Sequence, residues 1–261
     1  MDLGIAGRVC LVMGAGGGLG RAIAQSLAAE GAIVAGGGVT PDHLHATGQV
    51  LAEDGHTFLP VVADLRRPET LADAVTKIKH DLGPISILVN NSGGPTPGPA
   101  AGVELEEWKA NFAHMAASLF YLTDLVLPDM RAQRWGRVIT STSSGVIAPI
   151  ANLALSNTLR ASVVGWSKTL AGEVAKDGIT VNVVVPGRID TDRVRALDET
   201  RAAREGRTTD EVASESATTI PVGRYGRTKE YGDCVAFLAS ERASYVTGSI
   251  MRVDGGMLAN I

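Results

Sequence analysis

Five glycines crowd into seven positions, Gly14, Gly16, Gly17, Gly18 and Gly20, with Leu19 between the last two. They follow an apolar run, Val9–Met13, and lead into a segment of helical periodicity. Glycine lets a backbone turn sharply and approach a pyrophosphate, whose charge then rests on the free N–H groups of a helix N-terminus. The chemistry implied is nucleotide binding. The competing reading is a structural turn, and the strand–turn–helix context favours the nucleotide.

Such a loop needs a fold to present it. Short apolar runs at Arg8–Met13, Ala32–Ala35, Thr57–Ala63, Ser86–Val89, Arg137–Thr140, Thr180–Val185 and Ser249–Val253 read as strands. Between them the spacing predicts helices over Arg21–Glu30, Pro41–Asp54, Glu69–Asp81, Glu104–Arg131, Ser156–Lys176 and Lys229–Ser240. The charged stretch after Val185 reads as irregular. Near-continuous apolar strands alternating with helices predict an α/β fold, a Rossmann-like doubly wound parallel sheet in three αβα layers. No linker or repeat divides residues 1–261, so one domain is expected. In such sheets ligands bind beyond the carboxyl ends of the strands. The loops to search are 14–20, 36–40, 64–68, 90–101, 141–155 and 186–195.

Composition narrows the function classes. Hydrophobic residues make up 45% of the 261 positions, enough for a large core. A net charge of -4 gives no electrostatic case for nucleic acid or an anionic membrane as partner. Cys10 and Cys234 lack metal-ligand spacing and read as buried thiols in a reducing compartment, so no metal site is expected. Met1–Gly7 carries no signal-peptide pattern, and no apolar stretch approaches the ~20 residues of a membrane span. A cytoplasmic protein is expected.

The spacing Gly14-x-x-x-Gly18-x-Gly20 resembles the fingerprint of the short-chain dehydrogenase/reductase family, with Met13 where that family usually has Thr. Further motifs follow in order: Asp64-Leu65, Asn90-Asn91-Ser92-Gly93, Pro186-Gly187 with Ile189 and Thr191, Thr247-Gly248, and Asp254-Gly255-Gly256. The resemblance spans the whole chain. It implies that Asp64 and Leu65 meet adenine, that Asn90 and Gly93 flank the cofactor, and that 186–191 closes over the nicotinamide. The general likeness is to the 3-oxoacyl-[acyl carrier protein] reductases and sugar dehydrogenases of the family, which implies a small-molecule substrate and a homodimer or homotetramer. The second strand is followed by Gly36-Gly37-Gly38-Val39-Thr40, with neither an acid for a ribose hydroxyl nor a base for a 2′-phosphate; Arg66 could supply the base or be a solvated surface arginine. NAD and NADP are not separated.

The same resemblance implies four catalytic positions: a serine holding the substrate oxygen, a tyrosine giving the proton, a lysine four residues later, and an asparagine completing a proton relay. Asn111 matches the asparagine and Ser143 the serine. The other two positions hold Ser156 and Arg160, and no tyrosine lies between Tyr121 and Tyr225. A serine hydroxyl is far less acidic than a phenol, and a guanidinium does not exchange its proton as an ammonium can. Arg160 can still hold ribose hydroxyls, a carboxylate or a phosphate. Three readings follow: an oxidoreductase with a rearranged acid role, a ligand-binding protein without turnover, and an enzyme of another reaction using the same cleft. Ser156 also reads as a helix N-cap.

His114, one turn past Asn111, could face the cleft or simply belong to its helix, and Tyr225 reads as packing. Pro95, Pro97 and Pro99 stiffen a wall of the pocket. The segment 190–219 corresponds to the family's variable substrate lid. Arg160, Arg188 and Arg193 near one cleft would favour an acidic substrate; solvated helix charge is the alternative for the lid arginines.

Overall fold

A computed structural model describes residues 2–260; Met1 and Ile261, the ends of the expected domain, lie outside the described residues. Seven strands pair in parallel: β1 (Val9–Met13), β2 (Ile33–Gly38), β3 (Phe58–Val62), β4 (Ile87–Asn91), β5 (Gly136–Ser141), β6 (Ile179–Pro186) and β7 (Ile250–Val253). Their order is 3-2-1-4-5-6-7. Every strand pair is parallel, so each connection crosses over through a helix and both sheet faces are covered. The doubly wound Rossmann-like fold expected from the alternation is the one observed. One apolar cluster fills each face. The chain leaves β1 toward β2 and β3, then returns to place β4 on the other side of β1. This is the topological switch point, where a crevice must open.

The helices are α1 (Gly18–Ala29), α2 (Pro41–Glu53), α3 (Pro68–Asp81), α4 (Leu105–Phe112), α5 (Ser118–Gln133), α6 (Ala154–Val174), α7 (Asp192–Glu205), α8 (Thr209–Thr218) and α9 (Thr228–Ala239). Three departures from the sequence reading bear on the site. β2 runs on through Gly36–Gly38, expected to be loop, because this backbone pairs with β1 and β3 and its missing side chains make room for neighbours. A Cβ on Gly36 would meet Phe58 at 2.1 Å, and one on Gly37 would meet Met13 Sδ at 2.6 Å. The expected long helix 104–131 is broken by a π-turn at Ala113–Ala117, which rotates the side chains on either side of it. The expected irregular stretch after β6 is instead two helices, α7 and α8, held by charge pairs such as Arg201–Glu205 and Arg201–Glu215.

Candidate active site

The glycine loop is built to leave a gap. Gly14 has φ +67°, and a Cβ there would meet Asn91 Nδ2 at 2.7 Å; Asn91 Nδ2 itself donates to Met13 O at 3.1 Å. A Cβ on Gly20 would lie 2.0 Å from Gly14 O, so only glycine lets α1 close against the end of β1. α1 starts at Gly18, three residues before the expected start, with no side chain capping it. Its first N–H groups therefore have no intrahelical partner and face the gap. The loop is braced from behind: Thr47 donates to Ala15 O at 2.8 Å, and Arg21 donates to Thr47 Oγ1 and Gly16 O, both at 2.9 Å. Asn91 belongs to the Asn90–Gly93 motif but was given no bracing role, and Thr47 and Arg21 were not singled out by sequence, because nothing in their spacing marks them. These features fit a dinucleotide pyrophosphate.

The remaining cofactor positions surround that loop. Asp64 accepts from its own turn, Arg66 N at 2.9 Å, and its second carboxylate oxygen has no partner among the described residues. Leu65 is buried in the core beneath it, and Leu19 packs against the opposite cluster. Asn90 is fully buried and donates to Thr123 Oγ1 at 3.1 Å, so its side chain anchors β4 to α5 and does not open to the crevice. Asn90 Oδ1, Ser92 Oγ and Thr140 Oγ1 are left without partners near these strand ends. Pro186 ends β6, and a Cβ on Gly187 would meet Asp254 Cα at 2.6 Å, which ties the 186–187 turn to the C-terminal motif. Ile189 is buried against Gly226. Thr191 caps α7, accepting from Val194 N at 3.3 Å, and its methyl group faces Gly18, so the lid's first turn roofs the glycine loop.

Two of the four expected catalytic residues lie at the ends of β4 and β5. Arg160 Nη2 donates to Ser92 O at 3.2 Å and Gly93 O at 3.0 Å, and Nη1 to Ser141 O at 3.4 Å. Desolvation, then the nearby Arg193, push its guanidinium down to about 10, partly opposed by Tyr231. It stays charged at neutral pH. Ser143, just past β5, accepts from Gly145 N at 3.2 Å and gives its own proton to no described residue. Asn157 fixes the loop between them: its amide bonds Ile150 N at 3.3 Å and Ile150 O at 2.8 Å.

The other two, Ser156 and Asn111, make no side-chain hydrogen bond to Ser143 or Arg160 among the described residues. Ser156 is buried but makes no hydrogen bond to the described residues; the cap position of α6 is Leu153, so the N-cap reading is corrected. Asn111 donates to Glu107 O at 2.9 Å, within its own helix, and to none of Ser143, Ser156 or Arg160. Within the π-turn, the residue packed against the start of α6 is Met115, buried with Leu155 and Leu159. It has no proton to give. His114 lies in the field of Arg66, Asp64 and Arg160, and desolvation followed by Arg66 lowers its pKa. Tyr231 is fully buried behind the site, sharing a proton with Ser141 Oγ at 2.8 Å, and does not replace the missing phenol. The proline loop pins the start of α6, with Gly98 N donating to Asn152 O at 2.8 Å.

Arg188 leaves the expected arginine cluster. Its Nη1 donates to the buried Asp198 at 2.7 Å and to Tyr225 Oη at 3.1 Å, and Tyr225 Oη donates to Asp198 at 2.7 Å. The guanidinium is neutralised and holds the lid, and Tyr225 has a hydrogen-bonded role beyond packing. Arg160 and Arg193 remain.

A parallel sheet with its switch-point crevice, a glycine cradle, and a serine and a cation on the adjacent strand ends define a dinucleotide-type α/β enzyme fold. Residues 14–258 match the family model described as enoyl-(acyl carrier protein) reductase, and the chain belongs to the short-chain dehydrogenase/reductase family. It is 37% identical over 253 residues to the 3-oxoacyl-[acyl-carrier-protein] reductase FabG of Escherichia coli, covering 96% of this chain and 97% of that one. It is 36% identical to nodulation protein G of Azospirillum brasilense, over 96% of this chain and 98% of the other. Among solved structures it is similar to L-sorbose reductase from Gluconobacter frateurii, at 32% identity and TM-score 0.95 with both chains fully covered. None of the described helices is long and apolar enough to cross a membrane.

Proposed function

We propose that this protein is an NAD(P)-dependent oxidoreductase that interconverts a carbonyl and an alcohol on a small substrate, with a rearranged proton supply. The observation that carries the reading is the glycine cradle, whose Gly14 and Gly20 leave no room for any side chain while the α1 N–H groups stay uncapped. The likeness to a reductase complexed with NADPH and L-sorbose supports it. A nicotinamide cofactor supplies the hydride when bound. The N-terminus of α1 would hold its pyrophosphate, Asp64 and Leu65 would flank its adenosine, and 186–191 would cover its nicotinamide end.

This chain's own residues orient the carbonyl and manage its charge. The free Ser143 proton donates to the carbonyl oxygen. Arg160 provides a fixed positive charge for the alkoxide that develops there. Neither Met115 nor Arg160 relays a proton at neutral pH, so the proton reaches the alkoxide from water through Ser143. Losing a dedicated general acid costs roughly 10²–10⁴ in rate. β2 ends in glycines with neither an acid nor a base, which supports NADH and NADPH affinities within about tenfold of each other.

Titration of the purified protein with NADH and NADPH, followed by fluorescence and calorimetry, tests the reading; micromolar binding of at least one is expected. A Ser156→Tyr, Arg160→Lys variant is then expected to raise ketone turnover by about 10²-fold or more. Absence of binding to either cofactor would sink the redox reading. Tight binding with no turnover in either form would favour the second reading, a ligand-binding protein, to which Met115, Ser156 and Arg160 already lean.

A further inference from the structure

Two guanidiniums flank one short loop without a counter-charge. Arg160 lies against the 92–93 carbonyls from the α6 side and has no carboxylate partner among the described residues. Arg193, on the first turn of α7, reaches the same loop from the lid: a Cβ on Gly94 would come within 2.4 Å of its Nη2. Arg193 makes no hydrogen bond or ion pair to the described residues. The neighbouring acids, Asp190 and Asp192, both pair with Arg195. Arg193 is close enough to oppose the charge on Arg160. Like charges held together are tolerated best when an anion joins them.

The position of the pair says what kind of anion. Thr191 roofs the glycine loop at Gly18, and two residues later Arg193 crosses to Gly94, beyond the pyrophosphate cradle and toward the crest that carries Arg160. Gly94 makes this approach possible, because any side chain there would occupy the guanidinium's place. Its backbone does not require glycine: it is not among the positive-φ residues.

We propose that Arg193, backed by Arg160, anchors a carboxylate or phosphate carried by the substrate, so that the enzyme selects anionic carbonyl compounds over neutral ones. The proposal rests on the oxidoreductase reading and names its substrate class. The alternative source of the same anion chemistry is the cofactor's pyrophosphate.

The test uses the full chain with levulinate, a keto acid, and 2-pentanone, a neutral ketone of the same carbon number, titrated by calorimetry with and without saturating NADP⁺. Levulinate is expected to bind at least about tenfold more tightly, the equivalent of ~1.4 kcal/mol. In Arg193→Met and Gly94→Ala the two ligands should bind within about twofold of each other, while NADPH affinity stays within about threefold of the parent. Gly94→Ala is informative because its Cβ displaces only the tip of a flexible side chain, and circular dichroism with a thermal melt verifies that it folds. Equal binding of the two ligands by the parent overturns the proposal. So does a loss of NADPH affinity in Arg193→Met as large as the loss for levulinate, which assigns the arginine to the cofactor. If neither cofactor binds, the redox reading fails, and the titration without NADP⁺ still decides whether Arg193 selects anions.

Discussion

At the residue scale, the site keeps a hydrogen-bond donor and a cation and lacks an acid. Ser143 is held by its own turn with its proton free, and Arg160 is held by three backbone carbonyls. A guanidinium so placed stabilises charge without giving up a proton, and Ser156 has no partner that would acidify it. The pKa of His114 lies below the ordinary histidine value, chiefly because of desolvation. The unfolded chain therefore binds this proton at a higher pH than the folded one. Its contribution to stability is full above about pH 6.5 and falls as the pH drops toward the depressed folded value. Denaturant titrations at pH 7.5 and 5 should show His114→Gln losing less stability on acidification than the parent; an identical loss would remove His114 from the acid sensitivity.

Elements decide what these residues can do. Asn111 bonds back to Glu107 within α4, and the π-turn that follows brings Met115 against α6, which a uniform helical count across 104–131 does not anticipate. β2 continues through three glycines, where Phe58, Met13 and Leu44 occupy the space that side chains on Gly36, Gly37 and Gly38 would take. The lid is fastened at Arg188, Asp198 and Tyr225, with the Asp198 side chain only 3% exposed. Removing the carboxylate leaves Arg188 and Tyr225 unpaired. Asp198→Ala should cost about 2 kcal/mol, below the full value for a buried pair because Arg188 is partly solvated, and Tyr225→Phe about 1 kcal/mol. Urea melts and the rate of protease cleavage within α7 measure both; unchanged cleavage in Asp198→Ala would show that the lid is held elsewhere.

Across the whole molecule, the sheet's two apolar faces are closed, and three of the exposed large apolar side chains lie on α4 and α5. Phe112 meets Phe120 edge-on at 6.5 Å, and Phe120 lies 4.5 Å from Trp166, an aromatic series joining α4, α5 and α6 that ends in solvent at Phe112. Leu105 and Tyr121 are exposed along the same two helices. Exposed apolar surface is where partners dock, and the prediction drawn from the family resemblance is a homodimer or homotetramer that uses these helices. Light scattering should give two or four times the chain mass, and Phe112→Asp with Tyr121→Asp should lower it. A mass unchanged by both substitutions would move the interface off these helices.

Local and periodic features were legible in the sequence, because they depend on neighbours in the chain. The β–α alternation, the glycine cradle at Gly14, Gly18 and Gly20, the Ser143 turn and the absence of a tyrosine near Ser156 can all be read from residue order. What the tertiary structure alone decided is who meets whom across long separations. Arg188 is neutralised by Asp198 while Arg193 is not, and both are arginines of one charged stretch. Asn90 anchors a helix while its neighbour Asn91 braces the glycine loop. Side-chain direction and charge pairing depend on packing between elements distant in sequence, and residue order leaves these undetermined.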